Sequence, residues 1–548
     1  MKKNIRKILA VLLVCVMIFA LAACNGGKEN SGGGSTGGGT TDNSGGGSGG
    51  GGNSGGGGGT SSGSGSTAPG KDTLTVAITS DTGTLDPQFN IGSDLQAVLR
   101  MIYEPLWEWD VDFNRTWVLA TGCDIISPTV WRIYLREGVT FANGNPFNAD
   151  DVLFTFWRAN NRPGATPLLQ DVNVELSKKI DDYTIEIVFD QFRIDAEYGT
   201  IGTIGMFDKE SFSEDTVSTV TNGTGPYKLN EHIIDSHVSL SSRGSDYWGT
   251  PAIIDNLFFR VLKEDAQKVN ALETGTVDMS KVPFQDIQYV ETLKELELSL
   301  RFSGWSRVIY YNLDPHSPFA NNDDARRAVS YAIDRDAVIN VAYSGYASMS
   351  KLAVADGKPD MEDRFANIGI YGTGQDLVKA RQLAESSGLT EVDILFINNG
   401  DSAASVTAEL VQEDLRQIGV TANIWTLDSG SWLGVIFDAT AWDMAVDFTL
   451  GTSVAYAYGM WARMQAGGTY MTEPWAGSEK FLEDLEYVSS EPDASKRSNA
   501  LYEMAQIMAD GLIWYSLCDM YEATAYNKDI IGYHVMNSGY PNFALLSW

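Results

Sequence analysis

Histidine and cysteine are scarce in this chain of 548 residues, with four of each. The cysteines form no C-x-x-C pair, and only His232 and His237 stand loosely at ligand spacing, so no dedicated metal site is expected. No histidine lies beside an evident nucleophile. Neither a Ser-His-Asp nor a Cys-His arrangement emerges, and the expectation is a protein without enzymatic activity or cofactor. Positive charge is also short, since 39 Lys and Arg stand against 71 Asp and Glu for a formal net charge of -32. Such a surface repels phosphate backbones, so nucleic acid is not an expected partner.

The charged pairs that do occur read as structural. Asp150/Asp151 and Asp323/Asp324 stand where helices begin and suit the helix dipole better than glycosidase chemistry. DVDFN (110–114) imitates the start of a calcium loop, but Arg115 and Thr121 stand where Gly and Glu are needed, so it reads as a turn. A G-x-S-x-G pattern at 46–50 has no flanking strand and helix and is an accident of composition.

The first 23 residues have a basic start (Lys2, Lys3, Arg6, Lys7) and then an apolar run, which reads as a secretory signal. LAAC (21–24) resembles the lipobox of bacterial lipoproteins, in which cleavage before the cysteine leaves it diacylated. Cys24 is therefore expected to hold the protein to the outer face of the bacterial cell membrane, two acyl chains sufficing for stable anchoring. The segment 25–70 is almost wholly Gly, Ser, Thr and Asn and reads as a flexible linker averaging roughly 35 to 40 Å end to end. Cys123 and Cys518 remain in the body, either bonded to each other or as two separate buried thiols.

Beyond the linker, strands and helices interleave. LTVAIT (74–79), WRIYLREG (131–138) and YTIEIVFD (183–190) read as strands, 94–107 as a helix, and NADDVLFTFWRA as a helix capped by Asn148. Acidic residues open a helix at 322–333, and Asp334 caps the next. From 392 the order is strand VDILFI, helix from Ser402 to a Gly419 cap, strand VTANIWT, a helix around Trp432, and strand WDMAVDF, the arithmetic of a mostly parallel sheet. The last strand alternates, which predicts Asp447 on its solvated side. In such sheets ligands bind beyond the carboxyl ends of strands, which directs attention to 449–453.

Several segments together resemble one family, the extracellular solute-binding proteins that feed peptide and nickel ABC importers. They are LDPQF (85–89), YEPLWEWD (103–110), VWRIYLREGVTFANGNPFNADDVLFTFWRA (130–159), GTGPYKL (223–229) with SDYWG (245–249), ALETGTVDM (271–279), and YYNLDPHSPFANNDDARRAVSYAIDRDAVI (310–339). QDLVKARQLAESSGL (375–389) and AELVQEDLRQIGV (408–420) follow in the family's order. The resemblance implies an α/β, two-lobed periplasmic-binding-protein-like fold of type II, hinged between its lobes. Lobe I is then discontinuous (72–110, 222–305 and 510–548) with a subdomain at 111–221, and lobe II runs over 306–509. Gly223, Gly225 and Pro226 suit a turn, and Tyr247 and Trp248 suit packing.

The same resemblance places ligand contacts at Phe89, Asn90, Ile91, Trp305, Tyr310, Asn398, Thr449, Leu450, Gly451 and Thr452. Here the sequence departs from family members that grip a peptide's termini, because Thr452 stands in place of an amine-binding aspartate and Asn398 in place of a carboxylate-binding arginine. A charge-assisted grip outweighs a neutral hydrogen bond, so a zwitterionic dipeptide is disfavoured as ligand. Aromatics are dense here (Trp425, Trp432, Trp442, Tyr456, Tyr458, Trp461, Trp475, Trp514); most suit a core, and a few suit flat apolar platforms. The expected partners are an oligopeptide and ABC permease subunits, with the protein a monomer touching the membrane through its lipid alone. An oligosaccharide on the same scaffold, a sensor that presents ligand to a signalling partner, and a secreted hydrolase are the competing readings.

Overall fold

The computed structural model describes residues 71–548 apart from 90–93, 111–113, 164–167, 170–171, 191–199, 353–359, 373, 398–401, 428–434, 437, 439, 449–476 and 537–538. Residues 71–161 and 167–548 belong to one compact unit. β1 (Thr73–Ile78) opens it, and β2 (Trp107–Trp109) and β3 (Arg115–Trp117) pair as a small ribbon. β4 (Ala120–Ser127), β5 (Val130–Leu135), β6 (Val172–Asp181) and β7 (Thr184–Phe189) form an antiparallel sheet in the order β4-β5-β7-β6. The alternation in WRIYL turns Trp131, Ile133 and Leu135 inward, where Phe156 from the helix Ala149–Asn160 meets them.

The remaining strands are β8 (Tyr227–Ile233), β9 (His237–Ser242), β10 (Asn256–Val261), β11 (Met279–Val282), β12 (Leu296–Tyr311), β13 (Ala347–Met349), β14 (Glu391–Ile397), β15 (Thr421–Leu427), β16 (Met444–Phe448) and β17 (Trp514–Asn527). With β1 they make one large sheet in the order β15-β14-β16-β12-β17-β11-β1-β10-β9-β8, and β13 pairs with β17. Parallel pairs occur at its two ends: β1 with β10 and β11, and β14 with β15 and β16. The long antiparallel strands β12 and β17 join those ends. One apolar core lies along β1 and β8–β10 (Leu74, Val76, Leu257, Phe259, Phe543), and another along β12, β14 and β16 (Val308, Ile394, Val411, Val446, Met504).

Helix starts follow their caps. Asn148 Oδ1 accepts from Asp150 N at 2.8 Å while Asp151 Oδ2 accepts from Asn148 N at 2.8 Å, a reciprocal pair that satisfies two otherwise orphaned donors. Asn322 caps the helix Asp323–Ala332 and Asp334 caps Arg335–Ala337.

Two expectations are corrected. The helix read over 94–107 spans only Leu95–Leu99, because Pro105 bars its predecessor from helical backbone and the carbonyls of Met101 and Ile102 are taken by Tyr227 N and Gly225 N. Asp447 is 3% exposed instead of solvated. Met444 and Val446 on one face of β16 and Ala445 on the face of Asp447 are all wholly buried, so both faces of the strand are covered.

Candidate ligand-binding site

The LDPQF turn stands on a buried charged base. Leu85, Asp86 and Gln88 are buried, and Asp86 Oδ1 accepts from Gln88 N at 2.8 Å, closing the turn. Arg158, from the helix Ala149–Asn160, reaches beneath it: Nη1 donates to Asp86 Oδ1 at 3.1 Å and to Gln88 Oε1 at 2.8 Å, and Nη2 to Asp86 Oδ2 at 2.5 Å. Glu214 Oε1 lies 2.7 Å from the same Nη2. A planar guanidinium bridging two carboxylates fixes direction as well as distance. The turn therefore presents Phe89, 46% exposed, on a rigid support.

The neighbouring motifs converge beside it. Glu104 accepts from Tyr247 OH at 2.5 Å and from Trp248 Nε1 at 2.9 Å, which gives the YEPLW and SDYWG segments one shared contact. Burial raises the Glu104 carboxyl to about 7. A side chain at Gly223 would place its Cβ 2.0 Å from the Ile102 carbonyl oxygen, so only glycine permits this approach. Four donors, from Asn143, Asn145, Ser211 and Asn222, converge on Asp208 Oδ2 at 2.7 to 3.0 Å and tie the FANGNP turn to the chain before GTGPY.

The second region is the crossing of β12, β13 and β17. Gly304, with φ of +77°, lets β12 bulge between Phe302 and Trp305, and Ser303 Oγ donates to Met520 O at 2.6 Å across the gap. Trp305 is half-buried beyond the bulge. Ser306 Oγ donates to Asp519 Oδ1 at 2.7 Å, and Ser350 Oγ donates to the same oxygen. Arg335 donates Nε to Leu517 O at 2.9 Å and Nη2 to Ser350 O, between the rings of Tyr371 and Tyr515. Arg307 Nε donates to Tyr343 OH at 2.8 Å. Arg307 and Phe448 are ladder partners, so this polar group lies at the carboxyl end of β16.

Of the expected contacts, Phe89 and Trp305 reach the surface at these two regions. Tyr310 is 2% exposed and packs its ring 5.3 Å from that of Trp514, within the core. Asn90, Ile91, Asn398, Thr449, Leu450, Gly451 and Thr452 lie outside the described residues, as do Trp432, Tyr456, Tyr458, Trp461 and Trp475. Trp442 and Trp514 fill the core, and Trp425 is exposed. Cys123 on β4 and Cys518 on β17 are free thiols, so the disulfide among the two readings is not formed. Burial pushes the Cys518 thiol up to about 12. His232 and His237 do not act together, since His232 meets Asp81 at 2.8 Å and His237 meets Glu231 at 3.0 Å. Sequence reasoning missed Ser306, Arg307, Arg335 and Asp519. Arg307 inside the apolar run of GWSRVIYY is the one signal that pointed there.

Residues 120–469 match the sequence profile described as bacterial extracellular solute-binding proteins, family 5 Middle. The glutathione-binding protein GsiB of Pectobacterium atrosepticum is 26% identical over 491 residues, covering 84% of this chain and 91% of the relative. Among solved structures, the ABC transporter substrate-binding protein CtaP of Listeria monocytogenes superposes with a TM-score of 0.75 at 20% identity, covering 87% of this chain and 99% of that one. The oligopeptide-binding protein AppA of Bacillus subtilis, in complex with a nonapeptide, gives 0.73 at 15% identity, covering 86% and 98%. The shared architecture is the two-lobed type II periplasmic-binding fold.

Proposed function

From a chain that belongs to the family 5 bacterial extracellular solute-binding proteins, we propose a lipid-anchored receptor that hands oligopeptides to an ABC importer. One observation carries the reading: Trp305 stands half-buried at the bulge of β12, which with β17 joins the two ends of the described sheet, while Phe89 stands exposed on its Arg158 base. A cleft that closes about β12 and β17 would bring such groups onto a ligand. Separate apolar cores speak for a partition into lobe I (72–110, 222–305, 510–548) with its subdomain (111–221) and lobe II (306–509), although residues 512–518 pack in the core of lobe II and Phe207 and Val217 in that of lobe I. An oligopeptide is favoured over a dipeptide because Thr452 and Asn398 replace the charged grips for two close termini. The nonapeptide held by AppA of Bacillus subtilis shows that the same fold accommodates a long ligand.

No helix among the described residues is long and apolar enough to cross a membrane. The LAAC motif (21–24) assigns anchoring to Cys24, with the linker 25–70 as tether. Replacing Cys24 by serine should release the protein from the membrane fraction into the medium, and retention there would refute lipid attachment.

Calorimetric titration of the purified protein with defined penta- to nonapeptides tests the ligand. Binding should evolve heat and raise Tm, by an amount equivalent to about 2.7 kcal/mol at a ligand concentration a hundredfold above Kd, with the peptide recovered intact. Heat from oligosaccharides alone would replace the ligand, and cleavage of the peptide would make the protein a hydrolase.

A further inference from the structure

Where β1 and β11 end, a second set of charged side chains lies outside the groups described above. Asp94 begins the helix Leu95–Leu99; its Oδ2 accepts from Thr79 N at 2.8 Å and its Oδ1 from Tyr540 OH at 2.5 Å. Lys281 of β11 places Nζ 2.7 Å from Glu522 Oε1 and 3.7 Å from Asp94 Oδ1. Glu522 of β17 offers its other oxygen to Arg301, its ladder partner on β12. Burial opposes ionisation of both carboxylates, yet Lys281 and Tyr540 hold Asp94 low, and Lys281 and Arg301 hold Glu522 low. Both are charged at neutral pH.

Each oxygen of the two carboxylates already accepts a hydrogen bond. An ammonium carries three N–H donors and a guanidinium five. Lys281 directs one to Glu522, its distance to Asp94 being too long for a second, and Arg301 directs one to Glu522 and one to the Phe302 carbonyl at 3.3 Å. Each carboxylate oxygen keeps a second lone pair, and the donor capacity left over is the N–H of Lys281, whose Nζ also lies 4.7 Å from the Tyr540 ring centre, and of Arg301. That donor capacity is also reachable, with the Lys281 side chain 32% exposed and that of Arg301 16%. The place is a binding place by topology, at the carboxyl ends of the parallel strands β1 and β11. Arg301 lies on β12, the strand that carries Trp305.

We propose that Lys281 and Arg301 form a subsite for a carboxylate of the bound peptide, supplying from lobe I the anion contact that Asn398 leaves unfilled in lobe II. This rests on the peptide reading above. Each peptide found to bind is titrated into the wild type, Lys281→Gln and Lys281→Arg in two forms, with a free C-terminal acid and with a C-terminal amide. A charge-assisted contact should make the wild type prefer the acid by about tenfold to a hundredfold. Lys281→Gln should reduce that preference to about twofold or less while leaving amide affinity unchanged, and Lys281→Arg should keep it. If Lys281→Gln does not fold, Arg301→Gln carries the same expectation. Equal affinity of the wild type for acid and amide, or an equal loss of both forms in the variants, overturns the subsite and leaves the peptide reading standing. Failure of every peptide to bind in either form overturns both.

Discussion

The turn beneath Phe89 and the crossing of β12 and β17 both bury arginine, and they do so in opposite ways. Arg158 meets charge, with Asp86 and Glu214 clasping one guanidinium. Arg335 meets neutral groups, two carbonyl oxygens and two aromatic rings, and nearby Asp519 accepts from two serine hydroxyls. A buried ion pair resists separation because either partner left alone is a stranded charge. Neutral hydrogen bonds can be exchanged singly for others at modest cost. The first arrangement suits a fixed platform, and the second suits a place where two halves of a molecule must shift against each other.

The sharpest way to break this contrast is Arg158→Met, which leaves Asp86 buried without its cation. A loss of about 3 to 5 kcal/mol in urea unfolding is expected, and a loss below about 1 kcal/mol would erase the distinction. Next comes Glu104, a carboxylate that accepts from the neutral donors of Tyr247 and Trp248. Its folded value of about 7 lies above the ordinary 4.5, so the native state binds the extra proton. Stability should therefore fall as pH rises from about 4.5 through 7, by roughly 2 to 3 kcal/mol, and level off above. Glu104→Gln should flatten that profile; an unchanged slope would assign it to another group. At the crossing, Ser350→Ala and Ser306→Ala should each cost only about 1 kcal/mol, with a non-additive double variant because both hydroxyls share one oxygen. The smallest effect is Phe89→Ala, which should change stability by less than about 0.5 kcal/mol while weakening peptide binding in calorimetry.

Local signals in the sequence carried far. The caps at Asn148, Asn322 and Asp334 stand where helices begin, and the run from 392 to 448 does contribute three mutually parallel strands. What failed was long-range. Asp447 looked solvated because alternation in WDMAVDF does not tell that the second face of β16 is covered as well, as the wholly buried Ala445 on that face shows. The chain past the short helix after Asp94 cannot prolong it because GTGPY arrives to claim the carbonyls of Met101 and Ile102. Ser306, Ser350 and Asp519 become one group only when β12, β13 and β17 are laid side by side. Alternation separates a strand's two faces, whereas burial of both depends on layers from elsewhere in the chain that periodicity does not name.

The position of β17 in the sheet has a bearing on how the molecule is made. It is the last strand in the chain, yet it lies in the interior of the large sheet, pairing with β11, β12 and β13. The second edge of β11 near 279 and the start of β12 near 296 wait for partners near 526. Such non-local pairing slows folding and leaves open edges exposed in the meantime. A chain cut short before 514 would thus forfeit more than its tail. It would hold two half-sheets with no strand between them.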